Sequence, residues 1–176
     1  MRETITSTDR VYEGRVVTLD IHDVRLPDGN TSVREVVQHP GAVAIVALDT
    51  DNNVLLVRQY RIAADKILLE IPAGTLDENE DPAACAHREL QEETGFKAEQ
   101  LHSMGGIYTA PGYTSEFIHL FMAGGLTQSV LPMDEDEFIE IETMPIAQAL
   151  AAIDTGDIRD GKSVAGLLRA ARILKL

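Results

Sequence analysis

Residues 88–93 read Arg-Glu-Leu-Gln-Glu-Glu, and three carboxylates crowd into five positions. On a helix Glu89 and Glu93 are four apart and share a face, while Glu92 lies three beyond Glu89 on its outer side. Like charges at that spacing destabilise an isolated helix by roughly 0.2–0.5 kcal/mol. Carboxylates near a helix C-terminus also oppose its dipole, which favours cations there. The cluster therefore adds nothing to helix stability. A hard divalent cation reverses the sign, because Mg²⁺ prefers carboxylate oxygens together with the oxygens of a substrate phosphate. The bland account is an exposed acidic face laced by salt bridges, with Arg88 pairing to Glu92. It leaves the wider spacing unexplained: Gly74, five residues, Glu80, seven residues, then Arg88-Glu-Leu-Gln-Glu-Glu-Thr-Gly-Phe96.

The element that must carry these groups is well punctuated. Asp81 stands as N-cap, Pro82 at the first helical position and Gly95 just past the end, which predicts a helix over 82–94. Ala83, Ala86, Leu90 and Thr94 recur at helical spacing and form its small-to-apolar face. Upstream, 15–26 and 31–38 are rich in β-branched residues and flank the turn Pro27-Asp-Gly-Asn30, which predicts a hairpin. Ala42–Leu48 and Asn53–Tyr60, joined across 49–52, predict a second. Ile67–Ile71 is a short apolar run broken by Pro72-Ala-Gly74. Strands are expected near 104–109, 117–122 and 137–143, and helices over 145–154 and 163–174. Alternating strands and helices, with hairpins first, predict an α/β (α+β) fold with a mixed sheet between helices.

The 176 residues suit one domain with a proper core. The net charge of −14, from 15 Lys+Arg against 29 Asp+Glu, speaks against a nucleic-acid partner, which would need a basic surface. A small anion still fits if metal ions and local arginines offset the repulsion. No run approaches the roughly 20 apolar residues that cross a bilayer, and the N-terminus lacks the apolar core of a secretory signal. One cysteine, Cys85, allows no intrachain disulfide, so the expectation is a cytoplasmic protein with no membrane partner.

Residues 74–96 match every defined position of the Nudix box, and the chain resembles that family of hydrolases acting on nucleoside diphosphates linked to another moiety. The resemblance implies a Nudix-type α/β/α sandwich with a mixed β-sheet and an N-terminal antiparallel hairpin. It implies Mg²⁺, with Mn²⁺ as a substitute, bound by Glu89, Glu92 and Glu93, with Glu89 and Glu93 as direct ligands and the Ala73 carbonyl alongside. Gly74 would let the backbone come close to the ion. Arg88 would orient a glutamate, and Glu80 would support it.

Features outside the box resemble the ADP-ribose pyrophosphatase branch. Pro111 lies in Ala110-Pro-Gly-Tyr-Thr-Ser-Glu116, like the Ser-Pro-Gly loop of that branch with its following glutamate, although Ala110 replaces the Ser. Val33-Arg34-Glu35-Val36-Val37 is similar to the branch's N-terminal strand, and Arg58-Gln-Tyr-Arg61 precedes the box as it does there. The resemblance implies substrate contacts from Arg34, Glu35, Arg58, Arg61, Pro111 and Glu116; guanidinium groups suit phosphate oxygens. In the acidic run 134–137, Glu135 would be the general base and Glu137 an accessory metal ligand. The implied reaction converts ADP-ribose, or a related ADP-sugar, to AMP and ribose 5-phosphate. The alternatives are another nucleotide sugar such as GDP-mannose, or a non-catalytic Nudix sensing module. The branch also implies one domain over 1–176, with 1–40 as a β segment of a homodimer and 41–176 as the catalytic core.

Overall fold

The computed structural model describes residues 1–132 and 138–176; Glu135 and Glu137 lie outside the described residues. The chain forms two compact units, Met1–Gly41 with Tyr108–Phe117, and Ala42–Ile107 with Ile118–Leu176.

The first unit is built on an antiparallel sheet of β1 (Thr4–Glu13), β2 (Thr18–Arg25) and β3 (Thr31–Gln38), in that order. The hairpin expected around Pro27–Asn30 joins β2 to β3. Asp28 Oδ1 accepts from the Asn30 N–H at 3.0 Å, and Gly29 takes a φ of 90° that a side chain would oppose. Strand β1 falls within the β segment that the resemblance implies over 1–40, but the residue pattern itself predicts no strand there. Its residues, TITSTDRVYE, lack an apolar alternation, and all ten are exposed. Pairing with β2 makes it a strand, reinforced by Ser7 on Asp23 (2.6 Å), Thr8 with His22 (2.8 Å) and Arg10 on Asp20 (2.9 Å). The loop 108–117 is tied to β3 by backbone bonds between Val37 and both Tyr113 and Ser115.

The second unit holds a seven-stranded mixed sheet. Its spine is β4 (Ala42–Leu48), with β5 (Asn53–Arg61) antiparallel on one side and β9 (Phe117–Gln128) parallel on the other. Beyond these lie β10 (Ile139–Pro145), antiparallel to β5, and β8 (Phe96–Tyr108), next to β9. Short strands β6 (Lys66–Glu70) and β7 (Ala73–Thr75) pair with β5 and β4. Strand β8 begins directly after Gly95, well before the expected 104. Its first half buries little beyond Ala98, so no apolar rhythm announces it.

All seven residues of β4 are buried, and their alternation feeds two cores. Val43, Ile45 and Ala47 pack on Cys85, Ala86 and Leu90 of helix α1 (Pro82–Thr94). Ala42, Ala44, Val46 and Leu48 belong to the opposite cluster, with Ile146 and Ala149 of α2 (Ile146–Thr155) and Leu167 and Ala170 of α3 (Gly161–Leu174). The expected sheet between helices is thus present, with α1 on one face and α2 and α3 on the other. Among the described residues no helix is long and apolar enough to cross a membrane.

Candidate active site

Helix α1 occupies the span the sequence predicts. Asp81 Oδ1 accepts from the N–H groups of Ala83 and Ala84 at 2.9 and 3.1 Å, and Gly95, at φ 71°, returns its N–H to Gln91. The buried face differs slightly from the expected one: Cys85 is fully buried at its centre, while Ala83 is only half-buried. Cys85 is thus a packing residue, and burial, followed by its bond to Glu80, pushes its thiol well above the ordinary range. The same rotation carries Glu93 into the protein, 4% exposed, and leaves Glu89 and Glu92 half-buried.

Strand β7 meets this face at close range. A Cβ placed on Gly74 would lie 1.8–2.2 Å from the three carboxylate atoms of Glu89, so only glycine leaves that carboxylate where it is. One residue earlier, the Ala73 N–H donates to Glu93 Oε2 at 2.9 Å. Consecutive backbone positions of β7 therefore meet the two glutamates that stand four apart on α1.

Arg88 organises the other side. Its Nη1 donates to Glu89 Oε1 (2.6 Å) and Glu92 Oε2 (2.9 Å), and its Nε and Nη2 clasp Glu80 at 3.0 and 2.9 Å. The Asp77 N–H also donates to Glu80, at 3.0 Å. The Arg88 hydrogen bonds outweigh partial burial and hold the Glu80 carboxyl down at about 2, and the same contacts raise Arg88 above its ordinary value. The salt bridge expected between Arg88 and Glu92 is present, as one arm of a hub joining three carboxylates. Among the described residues no three Asp, Glu, His or Cys side chains gather into a ready metal cage. The carboxylates are shared instead between Arg88 and the Ala73 N–H. Their chemistry suits a hard divalent cation, since every donor is an oxygen and the glycine cradle keeps Glu89 against the backbone.

The remaining predicted residues separate by unit. In the second, Arg61 grips the buried Glu70 through Nε (3.0 Å) and Nη2 (2.8 Å). Arg58, by contrast, is taken up across the β5–β10 pair by Glu142, at 2.5 Å. In the first unit Arg34 donates to Glu3 (2.6 Å) and Ser32 (3.0 Å), and Glu35 is exposed opposite Ile21. Pro111 is exposed; Glu116 accepts from Thr109 Oγ1 at 2.8 Å and lies 3.8 Å from His39 Nε2. Sequence reasoning passed over Glu70 and Lys162, which meet in an ion pair. The available signal was a glutamate at an inward strand position, between Leu69 and Ile71, where a charge demands a partner.

A mixed sheet thus carries a carboxylate-bearing helix on one face, and comparison with known proteins assigns such a chain to the hydrolases. The NUDIX domain model matches residues 38–167. The chain is 43% identical over 164 residues to the methanol dehydrogenase activator of Bacillus methanolicus, covering 92% of this chain and 89% of that protein. It is 36% identical over 165 residues to the ADP-ribose pyrophosphatase of Bacillus subtilis strain 168, covering 93% and 89%. A solved structure described as an ADP compounds hydrolase superposes with a TM-score of 0.89 at 27% identity, over 99% of this chain and 95% of that one. The chain belongs to the Nudix family.

Two outcomes follow from this geometry. Gly74→Ala must push the flexible end of Glu89 aside while leaving the core untouched. Its melting temperature should stay within a few degrees of the parent, while kcat falls about 10²-fold or more; an active Gly74→Ala variant would exclude the cradle. The second outcome concerns pH. The folded pKa of Glu80 is depressed, so its stabilisation is full above the unfolded value of about 4.3 and is lost as pH falls through about 2. Thermal melts of Glu80→Gln should therefore lie below wild type near neutrality, and the gap should close between those two pH values.

Proposed function

We propose that this chain hydrolyses the diphosphate bond of ADP-ribose, or of a closely related ADP-sugar, to AMP and ribose 5-phosphate, using Mg²⁺. The chain is a hydrolase of pyrophosphate bonds. The observation that supports an ion-binding site is the contact of β7 with α1, where Gly74 admits Glu89 and Ala73 binds Glu93. Glu89, Glu92, Glu93 and the Ala73 carbonyl would hold the ion. Bound there, it would neutralise the diphosphate and lower the pKa of an attacking water. Arg88 holds the carboxylates of Glu89 and Glu92 in place, and Glu80 holds Arg88. We assign the general base to Glu135 and an accessory ligand to Glu137 on the resemblance alone.

The nucleotide preference rests on the relatives named as ADP-ribose pyrophosphatases and on the branch-like residues Arg34, Glu35, Arg61, Pro111 and Glu116. Arg58 has weaker support than Arg61, because Glu142 already takes its guanidinium. We further propose a homodimer formed through residues 1–40. Strand β1 sits at a sheet edge with Ile5, Val11 and Tyr12 about half exposed, and such an edge is normally covered.

Purified protein with Mg²⁺, offered nucleotide sugars, dinucleotides and nucleoside triphosphates, should release AMP from ADP-ribose preferentially. No turnover of any ADP-sugar would refute the assignment. Glu93→Gln keeps an oxygen for the Ala73 N–H, so it should fold normally while kcat drops about 10²–10³-fold. Light scattering should give twice the chain mass of 19.2 kDa; a fully active monomer would remove the dimer.

A further inference from the structure

Loop 108–117 is strapped along the end of β3, and His39 stands within the strap. The Val37 N–H donates to the Tyr113 carbonyl at 2.8 Å, and the Val37 carbonyl accepts from the Ser115 N–H at 3.0 Å. The His39 N–H then donates to the Ser115 hydroxyl at 2.9 Å. All of these bonds leave the imidazole unused. The ring has partners of its own. Its Nδ1 accepts from the Gly41 N–H at 3.0 Å, across the turn His39-Pro40-Gly41, where Gly41 takes a φ of 103°. An N–H aimed at Nδ1 leaves that atom no proton of its own, so the ring proton sits on Nε2. Nε2 faces Glu116 Oε1 at 3.8 Å, and the His39 side chain is 11% exposed.

Glu116 is addressed at its other oxygen as well: Thr109 Oγ1 donates to Oε2 at 2.8 Å. A donor thus faces each carboxylate oxygen, while 28% of the side chain stays exposed. A carboxylate offers about four acceptor sites, so room is left for a ligand. As an acceptor only, it suits hydroxyl groups and repels a diphosphate. The 3.8 Å gap to His39 exceeds a hydrogen bond, and a movement of about 0.6–1 Å by either side chain closes it. Bonds of this kind commonly tighten when substrate arrives. We propose that His39 is a positioning residue for substrate binding: its Nε2–H, fixed by the backbone at Gly41, orients the Glu116 carboxylate to accept a sugar hydroxyl of the substrate. The proposal deepens the ADP-sugar reading above and rests on it, with Glu116 as a substrate contact. It gives the ring a task separate from the strap that the backbone provides.

Two substitutions separate the edges of the ring. His39→Asn places an oxygen where Nδ1 stands and keeps the Gly41 contact, but has no donor for Glu116. His39→Gln reaches Glu116 with an amide donor and gives up Gly41. KM and kcat for ADP-ribose are measured in the full chain with Mg²⁺. The Kd of Mg²⁺-pyrophosphate is taken by calorimetry, because pyrophosphate carries no sugar hydroxyl. His39→Asn should raise KM about tenfold, with kcat changed less than about threefold and the pyrophosphate Kd unchanged. His39→Gln should recover KM to within about threefold of wild type while melting about 2–4 °C lower. In a Glu116→Ala background, His39→Asn should raise KM no further. The reverse pattern, with Asn like wild type and Gln the weaker binder, marks a ring that only anchors the turn and would overturn the proposal. An equal loss of pyrophosphate affinity would do the same. If neither variant folds, nitrogen NMR of the wild-type imidazoles decides. An Nε2–H ring whose Nε2 responds to the methylene analogue of ADP-ribose, and not to pyrophosphate, is expected; an Nδ1–H ring, or one that ignores the analogue, refutes the role. A wild-type chain inactive on every ADP-sugar would defeat the substrate reading first, whereas an active wild type with a contrary result defeats the His39 role alone.

Discussion

The approach of β7 to α1 at Gly74 is the constraint from which much else follows. A backbone that leaves no room for one methylene sets how deep the helix can sit and which carboxylate faces the strand. The apolar contacts of Cys85, Ala86 and Leu90 with Val43, Ile45 and Ala47 set that depth from below. Ala73 then finds Glu93 because the two glutamates stand four residues apart on the helix. Packing on one side of α1 and glycine on the other together bring carboxylates to the end of a strand without any covalent tie.

Electrostatics explains how so acidic a chain tolerates this. The carboxylates repel one another, and the protein answers with cations placed deliberately rather than with bulk charge. Arg88 serves three glutamates from a single guanidinium, while Arg61 and Lys162 share a fourth. Both hubs use arginine where a planar fork is needed. Each couples the segment 70–80 to a different helix, α1 through Arg88 and α3 through Lys162. The turn between β6 and α1 is thereby held from both faces of the sheet.

Legibility from the sequence followed the strength of local rules. Helix α1 was readable to its ends because Asp81, Pro82 and Gly95 each satisfy a specific backbone need there. Strands β4 and β5 were readable from unbroken apolar runs. Strand β1 was not, since its pattern is polar and only its partner makes it a strand. Strand β8 was misplaced because Phe96–Leu101 shows no clear apolar rhythm. At the site, the box glutamates and Arg88 were visible as a spacing, and the clash at Gly74 lent that spacing a cause. The triple grip of Arg88 was not visible, because Glu80 reaches it only once the loop folds back. Glu70 and Lys162, ninety-two residues apart, left almost no local trace. A long-range ion pair of that kind is specified by the fold rather than by any window of sequence.

The double service of β4 has a consequence for how this chain can vary. Its odd and even positions belong to different cores, so a single inserted or deleted residue would send every downstream side chain to the wrong helix. The parallel partner β9 and the antiparallel partners β5 and β7 would lose register in the same event. Length changes along this lineage should therefore collect in connections such as 62–65 and 76–80. The seven-residue spine accepts only exchanges of similar volume, and it acts as the ruler against which the rest of the domain keeps count.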